Sequence, residues 1–199
     1  MLPTDRTFSE AIERAVGEIE AKTDAEVVVV TAPRSGSYAD LAALGAGACA
    51  WVVLAFLIWS PILFDDWAFP VEVLGAGAIA WWGLRRDPRL ARFARPARRR
   101  QQVREAALAA FTQENVHATV GRTGVLVYIS VAEGLVEIVP DHGLLGRIPG
   151  AIWNNLVIDG RTLEGVVSGL RTLGDLLATH VPVTPGDRDE LPNAPVVRA

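Results

Sequence analysis

The chain is poor in the residues on which many sites are built. Its single cysteine, Cys49, allows no internal disulfide and no cysteine-held zinc centre. No GxSxG elbow, Walker loop or cysteine nucleophile with an arginine loop is present, which removes the best-known hydrolase mechanisms. The opening, MLPTDRTFSEAIERAVGEIE, lacks the basic start and continuous apolar core of a signal peptide. The net charge of −4 does not mark the chain as a whole as a nucleic-acid binder.

What is present is segregated. Half of the 199 residues are hydrophobic, and the mean hydropathy of +0.26 lies above that of ordinary soluble chains and below that of a polytopic transporter. The sequence therefore divides into an apolar part and a globular part. Residues 41–64 hold no charged side chain and include Trp51, Val52, Val53, Leu54, Phe56, Leu57, Ile58 and Trp59. About 24 helical residues reach roughly 36 Å, more than a hydrocarbon core of about 30 Å. A second apolar run, 67–84, carries Pro70 and Glu72 near its start, and Asp65 and Asp66 separate the two. The pattern predicts a transmembrane helical hairpin over 41–84. Trp59 and Trp67 stand at one interface and Trp81 and Trp82 at the other. The small-residue stretches 43–48 and 75–78 suit close helix approach. The competing reading is a helical hairpin buried in a soluble core, but such helices rarely run this long without a polar face. Glu72 reads as reaching the headgroup region rather than as an intramembrane functional acid.

The flanks set the orientation. Residues 85–104 carry Arg85, Arg86, Arg89, Arg92, Arg95, Arg98, Arg99, Arg100 and Arg104 against one acid, Asp87. The positive-inside rule places this basic juxtamembrane segment, and with it both termini, in the cytoplasm of a cell (inner) membrane protein. The first eight of these arginines are expected at the membrane surface, each adding about 1 kcal/mol of attraction to anionic headgroups. The membrane explains the charge without nucleic acid.

The rest reads as one α/β domain in two parts, 1–40 and 105–181, followed by a Pro-rich tail, 182–199. Thr7-Phe8-Ser9-Glu10 resembles a capping box, and Phe8, Ile12, Ala15, Val16 and Ile19 give a helix over 7–22. Residues 26–31 (EVVVVT) read as a buried strand. Val103, Ala107, Ala110 and Phe111 begin a helix ending near His117. Residues 124–131 and 134–140 read as a β-hairpin turning near Glu133-Gly134. Pro149 suits a helix start, and Leu163 to Leu177 carry the last helix. Strands flanked by helices predict a small sheet sandwiched by helices, with the membrane hairpin inserted after the first strand.

The candidate acids for a divalent cation, calcium or magnesium, are Asp24, Glu26, Glu133 and Asp141. If the strand ends lie together, Glu26 and Asp141 meet at one edge and can hold a metal that activates water. The alternative is structural: Glu26 pairs with an arginine such as Arg122, and Asp141 caps the turn before Gly143. His117, at a helix end, and His142, in a turn, carry the side chain most used for proton transfer near neutral pH, with no motif around them. Arg122 and Arg147 are loop residues that can bind a phosphate or neutralise the acids.

In their order, several segments resemble the TPM domain family. They are the opening helix followed by Thr23-Asp24-Ala25-Glu26-Val27-Val28-Val29-Val30, then Thr123-Gly124-Val125-Leu126-Val127-Tyr128-Ile129-Ser130. Glu133, Val136-Glu137-Ile138-Val139 and Asp141-His142-Gly143-Leu144 follow. The closing stretch Asp187-Arg188-Asp189-Glu190-Leu191-Pro192-Asn193 resembles the bacterial subgroup with an inserted transmembrane hairpin. The resemblance implies an α/β sandwich. It also implies either a membrane-tethered accessory module for membrane protein complexes or a divalent-metal-dependent phosphatase acting near the membrane. As a module the chain would have the lipid bilayer and another membrane protein as partners.

Overall fold

The computed structural model describes residues 6–60, 67–184 and 190–198. The described residues fall into two compact units: the chain up to Ser35 together with the chain from Arg99 on, and Gly36–Arg98.

The first unit holds α1 (Arg6–Glu20), β1 (Val27–Ala32), most of α4 (Pro96–Gln113), β2 (Val125–Ser130), β3 (Leu135–Pro140), α5 (His142–Leu145), α6 (Gly150–Asn155), α7 (Leu163–His180) and β4 (Val196–Val197). The sheet order is β3-β2-β1-β4. β1 runs parallel to β2 from Val27↔Val125 to Ala32↔Ser130, and β2 and β3 form an antiparallel hairpin. β1 and β2 are buried at every position because both faces are covered, which is why they read as continuous apolar runs rather than alternations. Val27, Val29, Val125, Val127 and Ile129 pack against Phe8, Ile12, Val16 and Ile19 of α1 and Val166, Leu170, Leu173 and Leu177 of α7. Val28, Val30, Leu126 and Tyr128 pack against Val103, Ala107 and Ala110 of α4. The result is the expected helix–sheet–helix sandwich.

Local chemistry places the element ends. Gly134, at φ 62°, makes the β2–β3 turn, a conformation that costs glycine little. Thr162 caps α7, its hydroxyl accepting the Gly165 N–H at 3.0 Å. Some boundaries differ from the expectation. α1 is already helical at Arg6, ahead of Thr7. α4 ends at Gln113, and His117 lies in a separate 3-10 turn, Val116–Ala118, because Asn115 turns left-handed at φ 56°. Pro149 takes the cap position of α6 rather than its first turn.

The second unit holds α2 (Ala39–Trp59), α3 (Phe69–Leu84) and a 3-10 turn, Pro88–Phe93. α2 and α3 pack on each other where both sequences are small. A β-carbon on Gly77 would meet Ala50 at 3.5 Å and the Ala46 carbonyl at 3.8 Å, and one on Gly45 would meet Leu84. α2, at mean hydropathy 2.4, is long and apolar enough to cross a membrane; α3, at 16 residues, is a shorter apolar helix. α2 ends at Trp59, five residues before the expected end at 64. The Asp65-Asp66 connection lies outside the described residues.

Candidate functional site

Strand direction decides which acids can meet. Asp24 and Glu26 precede β1, and Asp141 follows the antiparallel β3, so all three stand at the end of the sheet where β1 and β2 begin. Glu133 lies in the β2–β3 turn at the opposite end. Six strand residues at about 3.3 Å each put roughly 20 Å between the ends. The expected set of Asp24, Glu26, Glu133 and Asp141 is thus split three to one. Among the described residues no three His, Cys, Asp or Glu side chains are grouped to hold a metal ion.

Each acid has a geometric role. Asp24 accepts the backbone N–H of Thr184 at 2.6 Å and its hydroxyl at 2.8 Å. Glu26, buried, accepts the N–H of Glu190 at 3.2 Å on one oxygen and that of Leu191 at 3.3 Å on the other. Both carboxylates therefore grip the backbone of the C-terminal segment. Asp141, buried, caps α5: its Oδ1 accepts the His142 N–H at 2.7 Å. Its Oδ2 makes no hydrogen bond among the described residues, with the Arg122 guanidinium 3.9 Å away. The Asp141 cap matches one of the two sequence readings. The Glu26–Arg122 pair does not form; Arg122, held left-handed at φ 51°, reaches Asp141 instead.

At the other end, Glu133 joins a network that sequence patterning could not foresee. It accepts the Ser130 hydroxyl and, at 3.3 Å, the N–H of Ser35. The Ser35 hydroxyl bonds that of Ser130 and donates to the Tyr128 hydroxyl at 3.3 Å. Ser35 lies three residues past the end of β1, so the network ties the outgoing chain to the β2–β3 turn. The signal was available only as polar residues interrupting apolar strands at Tyr128 and Ser130.

Of the two expected histidines, His142 meets these acids through its backbone N–H, the one Asp141 caps. The His117 ring lies 6.2 Å from that of Phe111, and His142 opens α5.

The arginines of the basic segment are placed in four different ways. Arg85 stacks over Trp81 at 4.5 Å and Arg86 over Trp82 at 4.0 Å, cation–π contacts at the last turn of α3. Arg89, Arg92, Arg95 and Arg100 are exposed, with Asp87 capping the 3-10 turn through the Arg89 N–H at 2.8 Å. Arg98 faces inward within its unit. It bonds Asp40 with both nitrogens, at 2.6 and 2.9 Å, and the Ser37 carbonyl at 3.0 Å, and it lies over the Tyr38 ring at 5.5 Å. The bond to Asp40 raises the Arg98 pKa above its already high ordinary value. Arg99, half-buried, buries its Nε without a hydrogen-bond partner among the described residues. Of the eight arginines expected at a membrane surface, Arg98 is thus committed to closing the base of the hairpin, a role its place in a uniform basic run concealed.

No protein-family model and no curated protein matches the chain. Its fold is similar to that of the BA42 protein of the psychrophilic bacterium Bizionia argentinensis, solved by NMR. The TM-score is 0.59 and the identity 18%, over 98% of this chain and 94% of that one. At that identity the likeness concerns the fold alone.

Proposed function

We propose that this protein is a membrane-anchored binding module. α2 and α3 sit in lipid, the exposed arginines hold the headgroup layer on the cytoplasmic side, and the α/β unit docks on another membrane protein. The observation that carries this is the direction in which the side chains of α2 point. Only 17% of its most apolar stretch is buried, and Trp51, Val52 and Ile58 are 71%, 69% and 60% exposed. A core helix of a soluble protein buries such residues, and a contiguous apolar surface of this kind marks contact with lipid or protein.

Further features support the same reading. The 21 residues of α2 reach roughly 32 Å, enough for a core of about 30 Å. The 16 residues of α3 reach roughly 24 Å, so α3 requires local thinning of the bilayer or snorkelling of its flanks. The two Trp–Arg stacks at its end supply such a flank: indoles at the headgroup level with guanidinium groups beyond. Phe93, 80% exposed between Arg92 and Arg95, adds an apolar wedge to the basic segment. Glu72, in the first turn of α3, is favoured there by the helix dipole. The proposal extends to the bacterial membrane branch of the TPM resemblance. The phosphatase reading gains no such support from the split acids.

The test is partition. The full chain expressed in bacteria should remain in the membrane pellet through alkaline carbonate extraction and float with lipid vesicles. Recovery as a monodisperse species in detergent-free buffer would overturn the proposal.

A further inference from the structure

The C-terminal segment is held unusually for part of a sheet. β1 pairs with β2 at six positions but with β4 at only two, Val30↔Val196 and Thr31↔Val197. The remaining hold is mostly to backbone: the Val183 N–H on the Lys22 carbonyl at 3.2 Å, Asp24 on the Thr184 N–H, Glu26 on the successive N–H groups of Glu190 and Leu191, and the Arg198 N–H on the Thr31 carbonyl at 2.9 Å. Two side chains of the segment add to it, the Thr184 hydroxyl donating to Asp24 at 2.8 Å and the Glu190 carboxylate accepting the Val120 N–H at 2.9 Å. Two apolar side chains, Leu191 and Val196, settle against the α4-side core. An ion pair at its end gives the segment a direction: Arg198 to Glu114, just past the end of α4, 2.8 Å apart and partly buried on both sides.

From this geometry we propose that the β1 edge, with Asp24, Glu26 and Glu114, is a receptor for an extended peptide strand. The chain's own residues 182–184 and 190–198 occupy it in cis, and a partner's segment takes their place in trans. The partner segment it fits runs parallel to β1, presents two adjacent β-branched residues and carries an arginine immediately after them. The physical reason is an imbalance. β1 is a β-branched strand, VVVVTA, apolar at every position but Thr31, and an uncovered edge of that kind recruits other strands, so it must always be covered. Its cover here is a two-residue ladder, and each backbone hydrogen bond in such a ladder adds little net stability. Strand addition of this kind takes affinity from the main chain and specificity from a few side chains, which is the division of labour seen here. The inference rests on the binding-module reading and names the partner chemistry for it.

Peptide exchange on the full chain, purified in detergent micelles, tests this. A protease site is placed within residues 185–189 and cut after folding, and a fluorescein-labelled peptide of sequence ELPNAPVVR is added. The label should enter the cut chain with saturable anisotropy. The uncut chain should bind at least tenfold more weakly, because a tethered strap competes at an effective concentration on the order of millimolar. Glu114→Ala should weaken the peptide about fivefold, and a scrambled peptide should not bind. Retention of the original segment through overnight incubation with excess label would show a permanent strand and overturn the inference. So would loss of the circular-dichroism signal on cutting, or equal binding of the scrambled peptide. None of these readouts depends on lipid, so a failed exchange is separable from a failed partition.

Discussion

Gly143 shows how much of this molecule is decided by single atoms. A β-carbon there would lie 2.5 Å from the carbonyl oxygens of both Gly121 and Arg122, and neither is the movable end of a side chain. Gly143→Ala should destabilise the α/β unit by about 1–3 kcal/mol, the usual cost of overpacking, read as a lower urea midpoint. Glu137 gives a pH-dependent case. It lies on β3, half-buried, with Arg104 of α4 at 3.5 Å. Burial raises its carboxyl pKa, and the arginine only partly opposes this. With a folded pKa above the unfolded one, its contribution to stability is full below the ordinary carboxylate range and is lost as pH rises through the raised value. Glu137→Gln should therefore match the native chain below the ordinary carboxylate range, gain on it as pH rises through the raised value, and stay ahead above that; thermal melts across the range check this. At this scale the sequence was legible where a residue acts on its chain neighbours, as with Asp141 capping α5. It was not legible where the partner is distant in the chain. Glu26 bonds residues 164 and 165 positions away, and nothing in local spacing distinguishes that from a pairing with Arg122.

Elements were readable in proportion to their length. The six residues of β1 and of β2 announce themselves as β-branched runs, and α7 by its apolar stripe. β4, two residues long, falls below any periodicity and lies in a Pro-rich stretch, so the tail's place in the sheet was invisible. The basic run misled in the opposite way. It reads as one uniform segment, whereas the chain divides it among the end of α3, the 3-10 turn and the first turn of α4. That division makes Arg98 a structural residue, and Arg98→Gln should loosen the hairpin base by removing its paired bonds to Asp40. Because both partners are more than a third exposed, the loss should show as faster proteolysis around Ser37 in detergent rather than as global unfolding. The α2–α3 contact makes a sharper demand. Gly77→Leu puts a branched side chain where 3.5 Å now separates a β-carbon from Ala50. It should push the helices apart, lowering the detergent melting temperature more than Gly75→Leu, where nothing lies within 4 Å.

At the scale of the whole molecule, one residue composition made uninformative becomes the best probe. Cys49 is the single cysteine and lies at the middle of α2 (Ala39–Trp59), about 15 Å from either helix end. If α2 spans the bilayer, Cys49 is at the depth where water is scarcest. A membrane-impermeant maleimide should label it slowly in sealed vesicles of either orientation and rapidly after detergent is added. A second cysteine fixes the direction. Thr112 is exposed on α4, so, on the proposed orientation with the arginines in the cytoplasm, Thr112→Cys in a Cys49→Ala chain should react in inverted vesicles and be protected in intact spheroplasts. The two probes separate two failures. Rapid labelling of Cys49 without detergent would mean α2 lies in water or at a protein surface, and the anchor would be lost with it. Protection of Thr112→Cys in inverted vesicles, with Cys49 still slow, would keep the anchor and reverse the molecule. The arginines would then face outward, against the charge asymmetry that orients membrane proteins, and the partner presented to the β1 edge would have to be sought on the other side of the membrane.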